Sequence, residues 1–161
     1  MTTKLIALAS ALIAVAGCAS GSAATKPASA SATPSGSSGL MPEFVVPGTR
    51  NSPFSGVVRV GNTLYVSGQI GTDSTGKLPA GGIGAETTEA MKHISKLLMQ
   101  AGSSLDHIAK CTVMLSDMSQ WNAMNEAYVA FFPNRRPARS SFGATALAQG
   151  AHVEIECIAT A

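Results

Sequence analysis

Residues 138–158 read ARSSFGATALAQGAHVEIECI, and this stretch holds the two patterns that decide the fold at the end of the chain. In Ala138–Ala144, strand alternation puts Arg139 and Ser141 on one face. In His152–Ile158, the even positions up to 156 are His and two Glu, whereas the odd positions are Val, Ile and Cys. Two strands separated by a turn are therefore predicted.

An antiparallel pairing of these two strands would bring Arg139 and Ser141 onto the same face as Glu154 and Glu156. Opposite or diagonal neighbours on one face lie roughly 4.5 to 8 Å apart. A slip of one residue would break this arrangement, so it depends on the register. On the residues alone, an ion pair that only stabilises the hairpin is favoured. The functional alternative is a guanidinium that binds a ligand carboxylate through two parallel hydrogen bonds.

Upstream of this region, the pattern predicts a hairpin, a helix and a strand. Val57–Val60 and Thr63–Ile70 are β-rich runs separated by Gly61-Asn62, a favourable two-residue turn. A strand is expected over Ala109–Leu115. Between them, apolar residues at helical spacing predict an amphipathic helix ended by Gly102: Ala90, Met91, Ile94, Leu97, Leu98 and Ala101.

A second helix is expected to start after Asp117 or Ser119 and to stop at Pro133. Its apolar stripe consists of Trp121, Met124, Tyr128, Phe131 and Phe132. The predicted order is ββαβαββ, and the predicted fold class is α+β, a mixed sheet with two helices on one face. The other face lacks a cover within the chain, so we expect other subunits to bury it.

The cysteines of the folded part leave two states open. Cys111 and Cys157 both lie in apolar strand-like runs, where a buried free thiol is the commonest state. An exported protein would permit a disulfide between them, but the sequence does not set their distance. No Cys/His spacing resembles a metal site, so no metal ligand is predicted.

The amino-terminal residues 1–17 have the pattern of a secretory signal. Their apolar run, Leu5–Gly17, is shorter than the roughly 20 residues of a membrane-spanning helix. Val15–Cys18 resembles a bacterial lipobox, which predicts acylation of Cys18 after cleavage. The alternative is an ordinary cleaved signal with an incidental cysteine.

Residues 18–40 are predicted to be the acylated cysteine followed by a flexible Ala/Ser/Gly/Pro linker, and residues 41–161 the folded domain. We therefore expect a protein anchored in the bacterial envelope through its lipid alone. Ala19 resembles the outer-membrane sorting pattern of diderm bacteria. The net charge of the whole chain is +2, which gives no electrostatic case for nucleic acid.

Four ordered blocks of this sequence resemble the RidA/YjgF family of reactive-intermediate (enamine/imine) deaminases: Gly61–Ile70, Asn125–Phe132, Arg136–Ser140 and Val153–Ala159. The resemblance extends over about residues 53–159. It implies a chorismate-mutase-like subunit in a homotrimer, with clefts between adjacent chains. It also implies a cofactor-free hydrolase that converts small 2-imino or enamine acids to 2-oxo acids and ammonia.

The same resemblance implies roles for individual residues. Arg139 would bind the substrate carboxylate, and Glu154 would position the attacking water. Asn125 would face the cleft from the neighbouring subunit's side, although a structural hydrogen bond to backbone is about equally plausible on the residues alone. Ser67 and Gly68 would line the cleft; the alternative for this pair is a β-bulge.

Two substrate-binding positions depart from the family pattern. Phe54 stands where many members have tyrosine, and Ser141 where many have cysteine. Loss of one neutral hydrogen bond costs about 0.5 to 1.5 kcal/mol, so altered preference or rate is expected before loss of function. The chief rival hypothesis is a binding module that holds a small carboxylate at Arg139 without turnover. A third hypothesis is a structural or holdase-like envelope protein, for which an exposed apolar cleft would be enough.

The remaining polar residues near these blocks are assigned no chemistry. Glu156 is expected to be a solvated or interface carboxylate, and His152 a solvent-facing histidine. Arg135 and Arg136 are expected to be solvated or interface charges.

Overall fold

The computed structural model describes residues 41–161 of the chain. The predicted signal segment, the predicted linker and the acylation site at Cys18 lie outside the described residues. Within residues 41–161, neither helix combines the length and the apolar character that a bilayer crossing requires.

Residues 41–161 form six strands and two α-helices in the order βββαβαββ. The first strand, absent from the sequence prediction, is short and lies between Pro42 and Pro47. The bounds are β1 Glu43–Val46, β2 Val57–Val60, β3 Thr63–Ile70, α1 Gly82–Gln100, β4 Ile108–Leu115, α2 Trp121–Val129, β5 Ala138–Gly143 and β6 Val153–Thr160.

The six strands form one mixed sheet in the order β1-β2-β3-β6-β4-β5. The predicted hairpin between the last two strands is wrong. β5 runs parallel to β4 at the sheet edge, and β6 pairs antiparallel with both β3 and β4. The alternation in β6 defines which residues share a face but not which strands flank it. Its buried odd positions suit a strand in the middle of the sheet.

The two helices cover one face of this sheet, as predicted. Val153, Ile155 and Cys157 of β6 are buried on that face, whereas Glu154 and Glu156 alternate onto the other. The covered face and the helices share one core, which includes Leu64, Val66, Met91, Ile94, Leu98, Val113, Leu115, Met124 and Ile155. The second face is open in the single chain.

Two sequence predictions of local structure are confirmed. Val60 pairs with Thr63 across the predicted Gly61-Asn62 turn. The first helix lies where its apolar spacing predicted it, although it begins earlier, at Gly82. The second helix is preceded by a short 3₁₀ turn, and Asp117 caps that turn by accepting the N–H of Ser119 at 2.9 Å.

Cys111 and Cys157 form a disulfide. They stand directly opposite each other on β4 and β6, with Cα atoms 4.1 Å apart. The bond lies in the core, and of the two states that the sequence leaves open the structure has the disulfide. It links the neighbouring interior strands β4 and β6 covalently on the helix-covered face.

Candidate active site

Arg139 lies on the helix-covered face, at the edge of the sheet. It stands opposite Cys111 in the parallel β4–β5 pair. Its guanidinium carbon lies 4.8 Å from the ring centre of Tyr128 and 5.8 Å from that of Trp121, both on α2. These contacts orient the cation by its attraction to aromatic faces.

The guanidinium of Arg139 has no carboxylate partner among the described residues. The salt bridges of that part of the chain join Lys92 to Glu89 and His152 to Glu86. The predicted hairpin ion pair of Arg139 with Glu154 or Glu156 is therefore wrong. A cation held without an anion is suited to binding the carboxylate of a ligand.

A cleft of about 420 Å³ adjoins this guanidinium, and we call it the Arg139 cleft. It is lined by Trp121, Asn125, Tyr128, Val129, Arg136, Pro137 and Arg139. Asn125 thus shares the cleft of Arg139. Its Oδ1 is buried and accepts no hydrogen bond, so the structural alternative for this atom is not realised. Buried polar atoms without partners are uncommon in folded proteins.

Two more buried hydroxyls near Arg139 lack hydrogen-bond partners, those of Tyr128 and Ser141. Burial raises the pKa of the Tyr128 phenol to about 12, and the positive charge of Arg139 opposes that rise. The phenol is therefore neutral at physiological pH. Ser141 stands two residues along β5 on the same face as Arg139, opposite Val113, but it does not line the cleft.

Glu154 lies in a different cleft of about 660 Å³, which we call the Glu154 cleft. The predicted residues Phe54 and Gly68 line it with Glu154. The other lining residues come from the end of β3, from α1 and from the turn before β6: Gln69, Ile70, Thr72, His93, Lys96, Leu97, Gln100, Ala148 and Gln149.

Gly68 and Glu154 fit together through a β-bulge. The β3–β6 register shifts between Val66 and Gln69, so two β3 residues lie opposite one residue of β6. A β-carbon on Gly68 would overlap the carboxylate oxygen of Glu154. The two interpretations of this glycine, a bulge and a close approach, therefore hold together.

Ser67 has a supporting position beside the same cleft. Its hydroxyl donates a hydrogen bond of 2.7 Å to the carbonyl of Ser55, next to Phe54. The predicted residue therefore holds the segment that carries Phe54, and it does not itself line the cleft.

The single chain keeps the two clefts apart. Arg139 stands opposite Cys111, which stands opposite Cys157, and Glu154 is three residues further along β6. Strand spacings put the two Cα atoms on the order of 14 Å apart, with the side chains on opposite sheet faces. The prediction that Arg139 and Ser141 share a face with Glu154 and Glu156 is therefore wrong.

Four residues around these clefts have roles that the sequence interpretation missed. Trp121 and Tyr128 belong to the apolar stripe of α2, which conceals their contact with Arg139. Gln149 lines the Glu154 cleft with a left-handed backbone at φ 56°, a conformation found more often at functional sites than elsewhere. Glu86 is 1% exposed. Its burial could have been predicted from the sequence, because it lies four residues before Ala90 and therefore on the buried face of α1.

The expectation for His152 needs correction. The residue is half-exposed, but its ring is not free in solvent. Nδ1 lies 2.5 Å from Oε1 of the buried Glu86, and the backbone N–H donates to Oε2 at 2.7 Å. The α1 helix is thereby attached to the residue that precedes β6.

Comparisons with known proteins agree on one family. A family model described as endoribonuclease L-PSP matches residues 48–161. The 2-iminobutanoate/2-iminopropanoate deaminase of Mus musculus is 41% identical over 108 residues, covering 66% of this chain and 80% of that protein. The Homo sapiens deaminase is 40% identical over 108 residues, covering 66% and 79%.

Solved structures give the same result. RidA from an Antarctic Psychrobacter species has a TM-score of 0.66 at 34% identity, covering 76% of this chain and 98% of that one. The YjgF gene product of E. coli has a TM-score of 0.65 at 30% identity, covering 73% and 94%. Since the family model spans most of the sequence and the fold matches these solved RidA/YjgF structures over most of their length, the chain belongs to the RidA/YjgF family.

Proposed function

We propose that this protein hydrolyses small 2-imino and enamine acids to 2-oxo acids and ammonia. The observation that carries the proposal is the guanidinium of Arg139, which borders a cleft and has no carboxylate partner among the described residues. The relatives named as 2-iminobutanoate/2-iminopropanoate deaminases support the same reaction.

The proposed site is shared between subunits. Arg139 and Glu154 lie on opposite faces of one sheet, too far apart to act on one small molecule within a chain. We propose a homotrimer in which the Arg139 cleft of one subunit meets the Glu154 cleft of its neighbour. The open sheet face supports this assembly, because it exposes large apolar side chains: Tyr65 at 48%, Phe142 at 49% and Ile158 at 37%.

In the shared site, Arg139 would hold the substrate carboxylate through two hydrogen bonds. The protonated C=N carbon is then fixed beside Glu154, and the carboxylate of Glu154 orients a water molecule toward it. The water oxygen bonds to carbon as the C=N electron pair moves to nitrogen. Glu154 accepts the water proton and returns it to that nitrogen. The C–N bond then breaks as an oxygen lone pair forms the C=O bond, and the carboxylate of Glu154 takes up the hydroxyl proton. The products are the 2-oxo acid, ammonia and the proton that the protonated imine brought in.

The other predicted residues would shape this site. Phe54 gives the Glu154 cleft an aromatic wall without a hydroxyl. Asn125 and Ser141 contribute polar atoms on the Arg139 side, and each has one that lacks a protein partner. Polar atoms of this kind are available to a ligand, a water molecule or a neighbouring subunit.

The test supplies freshly generated iminopropanoate and iminobutanoate and measures 2-oxo acid formed above the spontaneous rate. We expect a rate enhancement in the wild type that Arg139→Ala and Glu154→Ala both abolish. Arg135→Ala is the matched control, since Arg135 is exposed and lines neither cleft. Saturable carboxylate binding without turnover in the wild type would instead favour a non-catalytic binding protein.

We also propose that the protein is lipid-anchored in the bacterial envelope through Cys18, on the outer membrane where the source is diderm. The Cys111–Cys157 disulfide supports an exported location, because disulfides persist mainly in oxidising compartments. Mass spectrometry of the envelope fraction should find an acylated Cys18 at the new amino terminus. Recovery of Cys18→Ser and wild type in the same soluble fraction would contradict the anchor.

A further inference from the structure

Glu86 is the one charged side chain among the fully buried residues of the described chain. A buried carboxylate costs several kcal/mol unless its oxygens are paired. Both oxygens of Glu86 contact a single residue, His152: Oε2 accepts the backbone N–H at 2.7 Å, and Oε1 lies 2.5 Å from ring Nδ1. This carboxylate holds a backbone position and a side chain at once.

The backbone of His152 is fixed from a second direction. Its carbonyl accepts a hydrogen bond of 3.1 Å from the N–H of Ser116, just after β4. Glu86 and Ser116 thus hold the residue that directly precedes β6. Glu154 lies two residues further on.

The backbone of Glu86 also contacts the segment that follows β3, the strand that pairs with β6. Glu154 pairs with Ile70 at the end of β3, and Gly71 follows. A β-carbon on Gly71 would overlap the backbone carbonyl of Glu86, so the helix approaches β3 at that point more closely than any other residue would allow. Glu86 therefore contacts the residue before β6 and the residue after β3, the two strands that pair at Glu154.

The carboxylate of Glu154 can occupy only a narrow range of positions. Its carboxylate fits only where Gly68 lacks a side chain, and a one-residue slip of β6 would move it to the other sheet face. We propose that Glu86 is a positioning residue for Glu154: through His152 it fixes the start of β6, and through Gly71 it fixes the end of β3 that pairs with Glu154. The catalytic part of this inference rests on the proposed function.

Three variants at one position test the proposal. Glu86→Leu removes both acceptor oxygens, whereas Glu86→Gln keeps one oxygen for the His152 N–H. Glu86→Asp keeps the charge but withdraws it by one methylene, and it serves if the leucine variant fails to fold. Thr87→Val is the matched control, because Thr87 is equally buried on α1 and its hydroxyl bonds only within the helix, to Ile83 at 2.7 Å.

The first measurement is amide hydrogen exchange of residues 152–154, which requires no turnover. We expect exchange at least about tenfold faster in Glu86→Leu or Glu86→Asp, with Glu86→Gln and Thr87→Val close to wild type. Unchanged exchange in the leucine and aspartate variants would overturn the proposal.

The second measurement is imine hydrolysis, with every variant assayed well below its unfolding midpoint. We expect kcat of Glu86→Leu or Glu86→Asp to fall roughly 10- to 100-fold with little change in KM, and Glu86→Gln to recover most of it. Faster exchange with wild-type kcat would overturn the link to Glu154. An inactive wild type would count against the proposed function alone, because the exchange rates show whether Glu86 stabilises the start of β6 without any need for turnover.

Discussion

The carboxylate of Glu154 occupies the space that a side chain on Gly68 would need. We therefore expect Gly68→Ala to displace that carboxylate and to lower kcat roughly 10- to 100-fold, with a smaller change in KM because Arg139 still holds the substrate. Steady-state kinetics checks this. Gly84→Ala is the control, since a β-carbon at that α1 position meets nothing within 4 Å. Equal kcat in the two variants would contradict the arrangement.

Because the Arg139 cleft and the Glu154 cleft lie apart in one chain, we expect two inactive variants to restore activity when their subunits are mixed. Arg139→Ala and Glu154→Ala should each be inactive alone. When the two are unfolded together and reassembled in equal amounts, about a quarter of the clefts between subunits should combine an intact arginine with an intact glutamate. Activity near that fraction of wild type is the expected result. A mixture as inactive as its components would refute the shared site.

The Cys111–Cys157 disulfide closes a loop between residues 46 positions apart. A bridge over such a loop lowers the conformational entropy of the unfolded chain, which stabilises the folded state by about 3 to 4 kcal/mol. We expect the double variant Cys111→Ala/Cys157→Ala to lose about that much free energy of unfolding in denaturant titrations. Reductant should lower the free energy of unfolding of the wild type and leave that of the double variant unchanged. Equal sensitivity of both proteins to reductant would show that another group responds.

Tyr128 should make the folded state less stable at high pH. Its folded pKa is raised from 10.0 to about 12 by burial, so the unfolded state loses the phenol proton first. The neutral phenol's contribution to the free energy of unfolding is complete below about pH 10 and is lost as the pH rises toward about 12. Tyr128→Phe should therefore lose less free energy of unfolding than wild type between about pH 9 and about pH 11.5. A difference in free energy of unfolding between Tyr128→Phe and wild type that stays constant over that pH range would contradict the raised pKa of Tyr128.

Alternation along β6 predicted correctly that Val153, Ile155 and Cys157 turn inward while Glu154 does not. It did not reveal the neighbours of the strand, because a period of two residues is the same for every partner. Arg139 was for this reason placed on the wrong face relative to Glu154. The family resemblance implied roles for both residues, and their separation within one chain could be seen only from the strand pairing in the structure.

Contacts between distant segments were the other part that the sequence left open. Glu86 and His152 are 66 residues apart, and nothing in either local pattern pairs them. Tyr128 occupied an apolar helical stripe, where an aromatic residue predicts core packing. Its second contact, with the guanidinium of Arg139, arises because β5 docks at the sheet edge beneath α2.

The last strand of the chain lies in the interior of the sheet, between β3 and β4. Until it is in place, β1-β2-β3 and β4-β5 are separate ladders without a shared hydrogen bond. A nascent chain that still lacks residues 153–160 therefore has no complete sheet. The sheet can close only once β6 has been synthesised, and a truncation that removes β6 leaves two separate ladders.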